Sequence, residues 1–332
     1  MNPVAAVTHP DPYPYYATLV ETAPLYFDRE LSAWVVTSAA YVDAMLNDPR
    51  ACVRPPSEPV PAAIADSAAG NLFAQLVRMN DGATHRTLRP LVESRLAAFE
   101  AGVPTVATLH CDTRTLNDFI ARYSVYALAA LLAIPAKEMP LLYEQARAFT
   151  RCIVPSPGQP PDAGGSDAAT ALLERFGDAN TAGFFFQTFD ATRGLIANAL
   201  AAAAAHSGSI RALLEATLQN DSPVQNTRRF LQADVQLGDT VMRAGDAVLV
   251  VLAAANRDPA GNGRCFTFGT GVHACPGKEL ALSIAAGALR QIFESEVDVA
   301  SLRVEGYEPS GNVRTALFTG IPPAKQKPVP VV

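Results

Sequence analysis

The sequence predicts a mainly helical fold with small β-sheets, an α+β arrangement. Apolar residues recur at three- and four-residue spacing through most of the 332-residue chain, as in helices that bury one face. Short segments with the alternation typical of strands lie at 24–37, 224–243 and 302–318. No internal repeat divides the chain, so we expect one domain over residues 1–332.

The helical periodicity and the turn residues between periodic segments place the elements in order. Proline-rich residues 49–70 and 155–167 predict irregular connections, and glycine-rich residues 261–274 predict a loop. Helices are predicted at 12–22, 38–48, 82–98, 114–134, 137–153, 168–177, 178–205, 209–219 and 276–294.

Composition excludes several classes of function. Hydrophobic residues make up 49% of the chain and charged residues 17%, which is typical of a compact core. The net charge of -6 argues against binding nucleic acid without sequence preference. The longest apolar run, residues 126–135, is shorter than the roughly 20 residues of a membrane span, and the N-terminus lacks a signal-peptide pattern. We therefore expect a cytoplasmic protein without a membrane segment.

The five cysteines, Cys52, Cys111, Cys152, Cys265 and Cys275, are odd in number and irregular in spacing. No two of them form a Cys-x-x-Cys pair. This pattern argues against a disulfide framework and against a structural zinc site, and it suits a reducing compartment.

One cysteine lies in a distinctive loop, Phe268-Gly-Thr-Gly-Val-His-Ala-Cys-Pro-Gly277. Gly269 and Gly271 lack a Cβ and let the chain turn sharply. Cys275 falls at the start of a predicted helix, where backbone amides and the helix dipole favour a thiolate, and Pro276 suits the first helical position. The alternative interpretation is a buried structural cysteine, which is common at such a place.

This loop resembles, at every fixed position, the haem-binding signature of cytochromes P450, Phe-x-x-Gly-x-x-x-Cys-x-Gly. The resemblance implies a P450 fold, with haem b held between the long helix at 178–205 and the cysteine loop. It implies that Cys275 is the axial thiolate ligand of the iron, a ligand that favours oxygen–oxygen cleavage. The loop residues implied to contact the cofactor are Phe268, Gly269, Gly271, His273, Cys275 and Gly277.

Other segments resemble the family in the same order along the chain. Residues 79–89 are similar to its C helix and residues 221–229 to the stretch after its K helix. The resemblance implies that His85, Arg89, Arg229 and His273 hold the two haem propionates. Taken singly, each could instead be a charge on a solvated face.

The long helix carries Gln187-Thr-Phe-Asp-Ala-Thr-Arg-Gly194, which resembles the oxygen-binding I helix. A mid-helix threonine can bond to a carbonyl one turn back and distort the helix. The resemblance implies that Asp190 and Thr192 relay protons during catalysis. Gln187 and Thr188 stand where the family has a small Ala-Gly pair. An ordinary buried helix with a polar stripe is the alternative.

The chain also departs from the family. The Glu-x-x-Arg motif of the K helix is missing, because its positions fall on Ala216 and Gln219. Gln219 could form neutral hydrogen bonds instead, or haem retention could be weaker. Residues 155–180, 201–210 and 260–264 are shorter than the family's corresponding segments.

The resemblance implies a monooxygenase that oxidises a small organic molecule by hydroxylation, epoxidation or oxidative coupling, in bacterial specialised metabolism. The sequence has no flavin or iron–sulfur motif, so a separate ferredoxin or flavodoxin is expected to supply electrons. The substrate could also be bound to a carrier protein. Two alternatives stay open: a peroxide-driven or isomerising haem enzyme, and a non-catalytic binding module derived from the family.

Overall fold

Most of the chain is helical in the computed structural model, which describes residues 1–99 and 106–318, and the predicted α+β class is confirmed. None of the helices in those ranges is long and apolar enough to cross a membrane. The α-helices are α1 (Tyr13–Thr22), α2 (Ala39–Asn47), α3 (Ala68–Gln75), α4 (Gly82–Ala97), α5 (Leu116–Leu131), α6 (Met139–Ile153), α7 (Gly165–Phe176), α8 (Ala179–Phe189), α9 (Ala191–Ala203), α10 (Ile210–Asn220), α11 (Leu252–Asn256) and α12 (Lys278–Phe293).

The strands bring distant parts of the chain together. A five-stranded sheet has the order β1-β2-β7-β4-β3, in which β2 and β7 run parallel and place Trp34 opposite Val248. The other pairs in this sheet are antiparallel, and two further sheets have two strands each. The strands are β1 (Leu25–Asp28), β2 (Ala33–Val36), β3 (Ala51–Cys52), β4 (Thr227–Leu231), β5 (Val235–Leu237), β6 (Thr240–Met242), β7 (Ala247–Val250), β8 (Val304–Tyr307) and β9 (Ala316–Phe318).

Three local features differ from the sequence prediction. The connection predicted at 49–70 contains β3 and runs into α3, which Ser67 caps by accepting a hydrogen bond from the Gly70 amide. The short helix α11, which follows β7, is not among the helices that the sequence predicts. The long helix predicted at 178–205 is interrupted at Asp190, where α8 ends and α9 begins.

The interrupted helix forms the centre of the molecule. Helix α8 packs against α5, α6 and α7, while α9 packs against α5, α10 and α12. Nearly all side chains from Ala179 to Leu200 are buried or half-buried as a result. A helix that is apolar around its whole circumference is stable only in such a buried position.

A neutral polar network joins α10, α11 and the segment that leads into the cysteine loop. The Asn256 amide nitrogen donates to the Leu218 carbonyl at 3.0 Å and to the Thr267 hydroxyl at 2.9 Å, and its oxygen accepts from the Phe266 amide at 2.6 Å. Gln219 donates to the Asn256 carbonyl. Gln219 therefore makes neutral hydrogen bonds at a position where the family has an ion pair.

We predict that Asn256→Ala lowers the free energy of unfolding by about 2–3 kcal/mol, because the Phe266 amide loses its partner in a buried site and the Leu218 carbonyl loses one of its donors, keeping its bond from the Thr267 hydroxyl. Urea denaturation followed by circular dichroism measures this change. Asn220→Ala is the matched control, since the side chain of exposed Asn220 donates to the Ala216 carbonyl of its own helix, and we expect a change within about 0.5 kcal/mol. Equal effects of the two substitutions would contradict the role of this network.

Candidate active site

A cavity of about 260 Å³ lies between the cysteine loop and α12 on one side and α8 and α9 on the other. This volume is far larger than the roughly 10–15 Å³ that one water molecule needs. Most of the residues that line this cavity are apolar, and the lining also contains three arginines and two histidines. Apolar lining residues include Val92, Leu96, Leu128, Phe184, Leu195 and Ile284.

The cysteine loop is folded tightly enough to aim its sulfur into this cavity. The Cys275 amide donates to the Phe268 carbonyl at 2.8 Å and closes the loop. Gly269 has a φ of +68°, a left-handed conformation that favours glycine. Cys275 is an exposed residue and lines the cavity.

The environment of the Cys275 thiol acts on its pKa in opposite directions. Burial raises the pKa above its ordinary value, since a thiolate is costly in an apolar site. A hydrogen bond from the Gly277 amide and the positive charges of Arg78 and Arg89 act against this shift. These groups stabilise the thiolate that a metal ion would require.

Two details of the loop differ from the sequence prediction. Helix α12 begins at Lys278 with Gly277 as its N-cap, so Pro276 precedes the helix instead of starting it. Gly271, with a φ of +65°, does not line the cavity but lies against α2, where a Cβ would come 2.3 Å from the Asn47 side-chain oxygen. Gly271 therefore seats the loop on α2, whereas Phe268, Gly269, His273 and Gly277 line the cavity.

Arg229 is a buried cation whose hydrogen bonds are incomplete. Only 6% of the residue is exposed, and its guanidinium donates to the Arg228 carbonyl at 2.9 Å while Nε has no partner among the described residues. Burial lowers the pKa of Arg229 to about 10, although the nearby Asp81 carboxylate opposes this change. A buried cation with an unused donor favours an anionic group in the cavity.

The other predicted cationic residues gather beside the loop. Arg89 contacts Glu93 at 2.6 Å and donates to the Ala274 carbonyl at 2.7 Å. His273 is paired with Asp81 at 2.9 Å, and its ring centroid lies 4.4 Å from that of His85. The structure thus brings His85, Arg89, Arg229 and His273 to one cavity, as the resemblance implies, and their contact with a propionate stays a prediction.

These features fit haem b. A thiol aimed into a large apolar cavity can serve as the axial ligand, and apolar walls suit a porphyrin. The unused donor of Arg229 suits a propionate, and Arg89 and the two histidines lie in the same lining. Cys275 would hold the iron and the cationic residues would hold the carboxylates.

The break between α8 and α9 separates the two residues predicted to relay protons. Asp190 does not line the cavity, because Arg151 holds both of its oxygens, at 2.7 and 2.9 Å, and Arg193 contacts it at 3.2 Å. Thr192 does line the cavity. The structure therefore does not bring Asp190 to the cavity beside Thr192, because residues two apart on a helix face different directions.

Thr188 occupies the place beside Thr192 that the sequence analysis gave to the acid. Its hydroxyl donates to the Thr192 hydroxyl at 3.0 Å, and both residues line the cavity. Their four-residue separation, which puts two side chains on one helix face, was the available signal. Arg78, in a short turn before α4, is a second lining residue that sequence reasoning missed.

No protein-family model matches this chain. Cytochrome P450 123 of Mycobacterium tuberculosis is 27% identical over 364 aligned positions that cover 87% of this chain and 89% of that protein. Beta-dihydromenaquinone-9 omega-hydroxylase of the same organism is 32% identical over 127 positions, or 34% of this chain and 24% of that protein.

Solved structures of bacterial P450s share the fold. P450BioI, in complex with an acyl carrier protein ligated to hexadec-9Z-enoic acid, is 21% identical with a TM-score of 0.73, covering 93% of this chain and 97% of its own. CalO2 is 21% identical with a TM-score of 0.74, covering 96% and 97%. The predicted cytochrome P450 fold is confirmed.

We predict that His85→Gln makes stability less sensitive to acid. Burial, then the charges of His273 and Arg89, lower the pKa of His85, while Asp81 and Glu93 oppose them. As the pH falls below the unfolded value of about 6.5, the unfolded chain gains a proton before the folded protein does, so stability is lost. Unfolding free energies measured between about pH 7 and pH 5 should fall less steeply in His85→Gln. The control His110→Gln, at an exposed position, should keep the slope of the unsubstituted protein. A slope that flattens equally in the two variants would refute the assignment of this acid sensitivity to His85.

Proposed function

This chain belongs to the cytochrome P450 family and is a haem-containing monooxygenase of that family, and we propose that it hydroxylates, epoxidises or oxidatively couples a small apolar molecule. The observation that carries the proposal is the position of Cys275, whose sulfur faces an apolar cavity beneath a distorted central helix. The cavity offers both a ligand for iron and room for an organic substrate.

The chemistry that bound haem b would supply is the activation of dioxygen. In hydroxylation or epoxidation one oxygen atom enters the substrate and the other leaves as water, whereas in oxidative coupling the substrate gives up two hydrogen atoms and both oxygen atoms leave as water. Each of these reactions consumes two electrons and two protons for each molecule of dioxygen. We infer that a separate ferredoxin- or flavodoxin-type protein supplies the electrons, because the sequence carries no flavin or iron–sulfur motif. The protein's own residues must then bind the cofactor, exclude water and deliver protons.

The cysteine loop performs the first of these tasks. The Gly277 amide stabilises a thiolate at Cys275. Phe268, from the same loop, lines the cavity. Arg89 contributes indirectly as well, because its guanidinium holds the Ala274 carbonyl and so fixes the loop. We assign Arg229, together with Arg89, His85 and His273, to the propionates.

Proton delivery belongs, in this proposal, to the hydroxyl pair Thr188 and Thr192. Thr192 accepts a hydrogen bond from Thr188, so its own proton is free to be donated into the cavity. Asp190 is then a positioning residue at the helix break, held by Arg151 and Arg193 outside the cavity lining. Protons reach the hydroxyl pair from water in this arrangement.

A second candidate, a peroxide-driven haem-thiolate enzyme, is favoured by one specific observation. The described cavity lining contains no aspartate or glutamate, so no carboxylate stands ready to supply protons from solvent. Arg193 gives this candidate no support, because it contacts Asp190 and Glu308 on another face. Comparing turnover with hydrogen peroxide and turnover with a ferredoxin and its reductase distinguishes the two candidates.

The biological setting is also a proposal. P450BioI was solved with an acyl carrier protein, which supports testing carrier-bound substrates as well as free ones. A reducing cytoplasm suits a P450 whose five cysteines are all free, and we propose a role in bacterial specialised metabolism. A non-catalytic binding module is the remaining alternative, and a purified protein that cannot be loaded with haem would favour it.

We predict that Cys275→Ala abolishes the Soret band characteristic of thiolate ligation in the reduced, carbon monoxide-bound protein, because no other cysteine lines the cavity. The control Cys265→Ala removes an exposed cysteine ten positions earlier and should keep the band. Absorbance spectroscopy of the haem-loaded proteins measures both. A thiolate band that survives in Cys275→Ala would overturn the ligand assignment.

We predict that Thr192→Ala lowers product formed per electron pair by about tenfold or more, with the excess electrons appearing as peroxide or water. Asp190→Asn should change this ratio less than about twofold, because its side chain lies outside the cavity lining. It should instead lower the free energy of unfolding by about 1–3 kcal/mol, since Arg151 and Arg193 lose a charged partner. Product, reductant and peroxide are quantified together, and the reverse ranking of the two variants would return the relay to Asp190.

A further inference from the structure

Arg78 differs from the other arginines of the cavity, Arg89 and Arg229, in having no hydrogen-bond partner among the described residues. It lies in the Val77–Met79 turn between α3 and α4 and lines the cavity. No hydrogen bond and no carboxylate within 4 Å satisfies its guanidinium among the residues the structure describes. Within the described part of the chain its directed contact is with the face of Phe186 on α8, at 5.7 Å.

The turn that carries Arg78 is held rigidly against α8. The Asn180 side chain on α8 accepts a hydrogen bond from the Val77 amide at 2.8 Å, and Asn80 donates to the Leu76 carbonyl at 2.8 Å. The guanidinium lies against the Phe186 ring of α8, the helix that also carries Thr188. Such preorganisation lowers the entropic cost of binding a ligand.

Arg78 is a further cation of the cavity, in addition to the residues assigned to the cofactor. We assign Arg89 and Arg229 to the two propionates, and Arg89 already pairs with Glu93 at 2.6 Å, whereas Arg78 has no carboxylate partner among the described residues. Arg78 is an exposed residue that lines the cavity, and desolvation by the surrounding protein lowers the pKa of Arg78 below its ordinary value, against the effect of the Cys275 charge. An anionic group on a bound ligand would pair with this cation.

We propose that Arg78 is the recognition site for the substrate's carboxylate, so that the substrate is an organic acid with an apolar body. This inference rests on the proposed function in treating the cavity as a substrate site. Phe184 and Leu195 supply the apolar walls, and Phe186 fixes the plane of the guanidinium. A planar guanidinium binds a carboxylate through two parallel hydrogen bonds.

The test titrates the haem-loaded protein with acids and their methyl esters: octanoic, dodecanoic, hexadecanoic and phenylbutanoic. Binding is followed by the haem spin-state change and by calorimetry. We expect at least one acid to bind about ten- to hundredfold more tightly than its ester. Arg78→Gln should equalise the two affinities, and Arg78→Lys should keep part of the preference. Arg86→Gln, which removes an exposed arginine outside the cavity lining, should change neither.

Three results would overturn the inference. They are equal binding of acid and ester throughout the series, an acid preference that survives Arg78→Gln, and loss of haem from Arg78→Gln, which would place Arg78 on a propionate. A wild-type protein that cannot be loaded with haem would sink the proposed function instead. Calorimetry on that haem-free protein would still decide the role of Arg78, because a preference for acids that Arg78→Gln abolishes would support it.

Discussion

The cost of placing charge in an apolar cavity governs the arrangement of this protein. A thiolate at Cys275 would be unfavourable by itself, because burial favours the neutral thiol. The Gly277 amide and two nearby arginines oppose that preference, and the hydrogen bond from the Cys275 amide to the Phe268 carbonyl closes the loop that carries the sulfur. Arg229 is a buried cation of the same cavity, and Arg78 lacks a carboxylate partner among the described residues, so the cofactor and substrate hypotheses depend on the same electrostatic requirement.

The loop can hold its position only if the elements behind it are fixed. Asn256 performs much of this work through three hydrogen bonds to α10 and to the segment before the loop. Gln219 joins the same network without carrying a charge. A neutral network avoids the desolvation cost of a buried ion pair, and its members satisfy one another. The shortened segments at 155–180, 201–210 and 260–264 leave this network and the cavity walls in place.

The interruption of the central helix assigns different tasks to neighbouring residues. Asp190 is turned outward into a cluster with Arg151, Arg193 and Glu308, where it links α6 to the region of β8. Thr188 and Thr192 are turned inward and pair through their hydroxyls. Asp190 thus belongs to a structural cluster of charged residues, whereas Thr192, two positions later, belongs to the cavity.

The sequence by itself determined the helical class, most element positions and the identity of the cysteine loop, because periodicity and the glycine and cysteine spacing are local properties. It also located four of the cationic lining residues through their order along a family pattern. Only the tertiary structure decided that Asp190 leaves the cavity, that Gly271 faces α2 and that Arg78 enters the cavity without a partner. Those outcomes depend on a helix break and on contacts between segments far apart in the chain, and neither is encoded in local spacing.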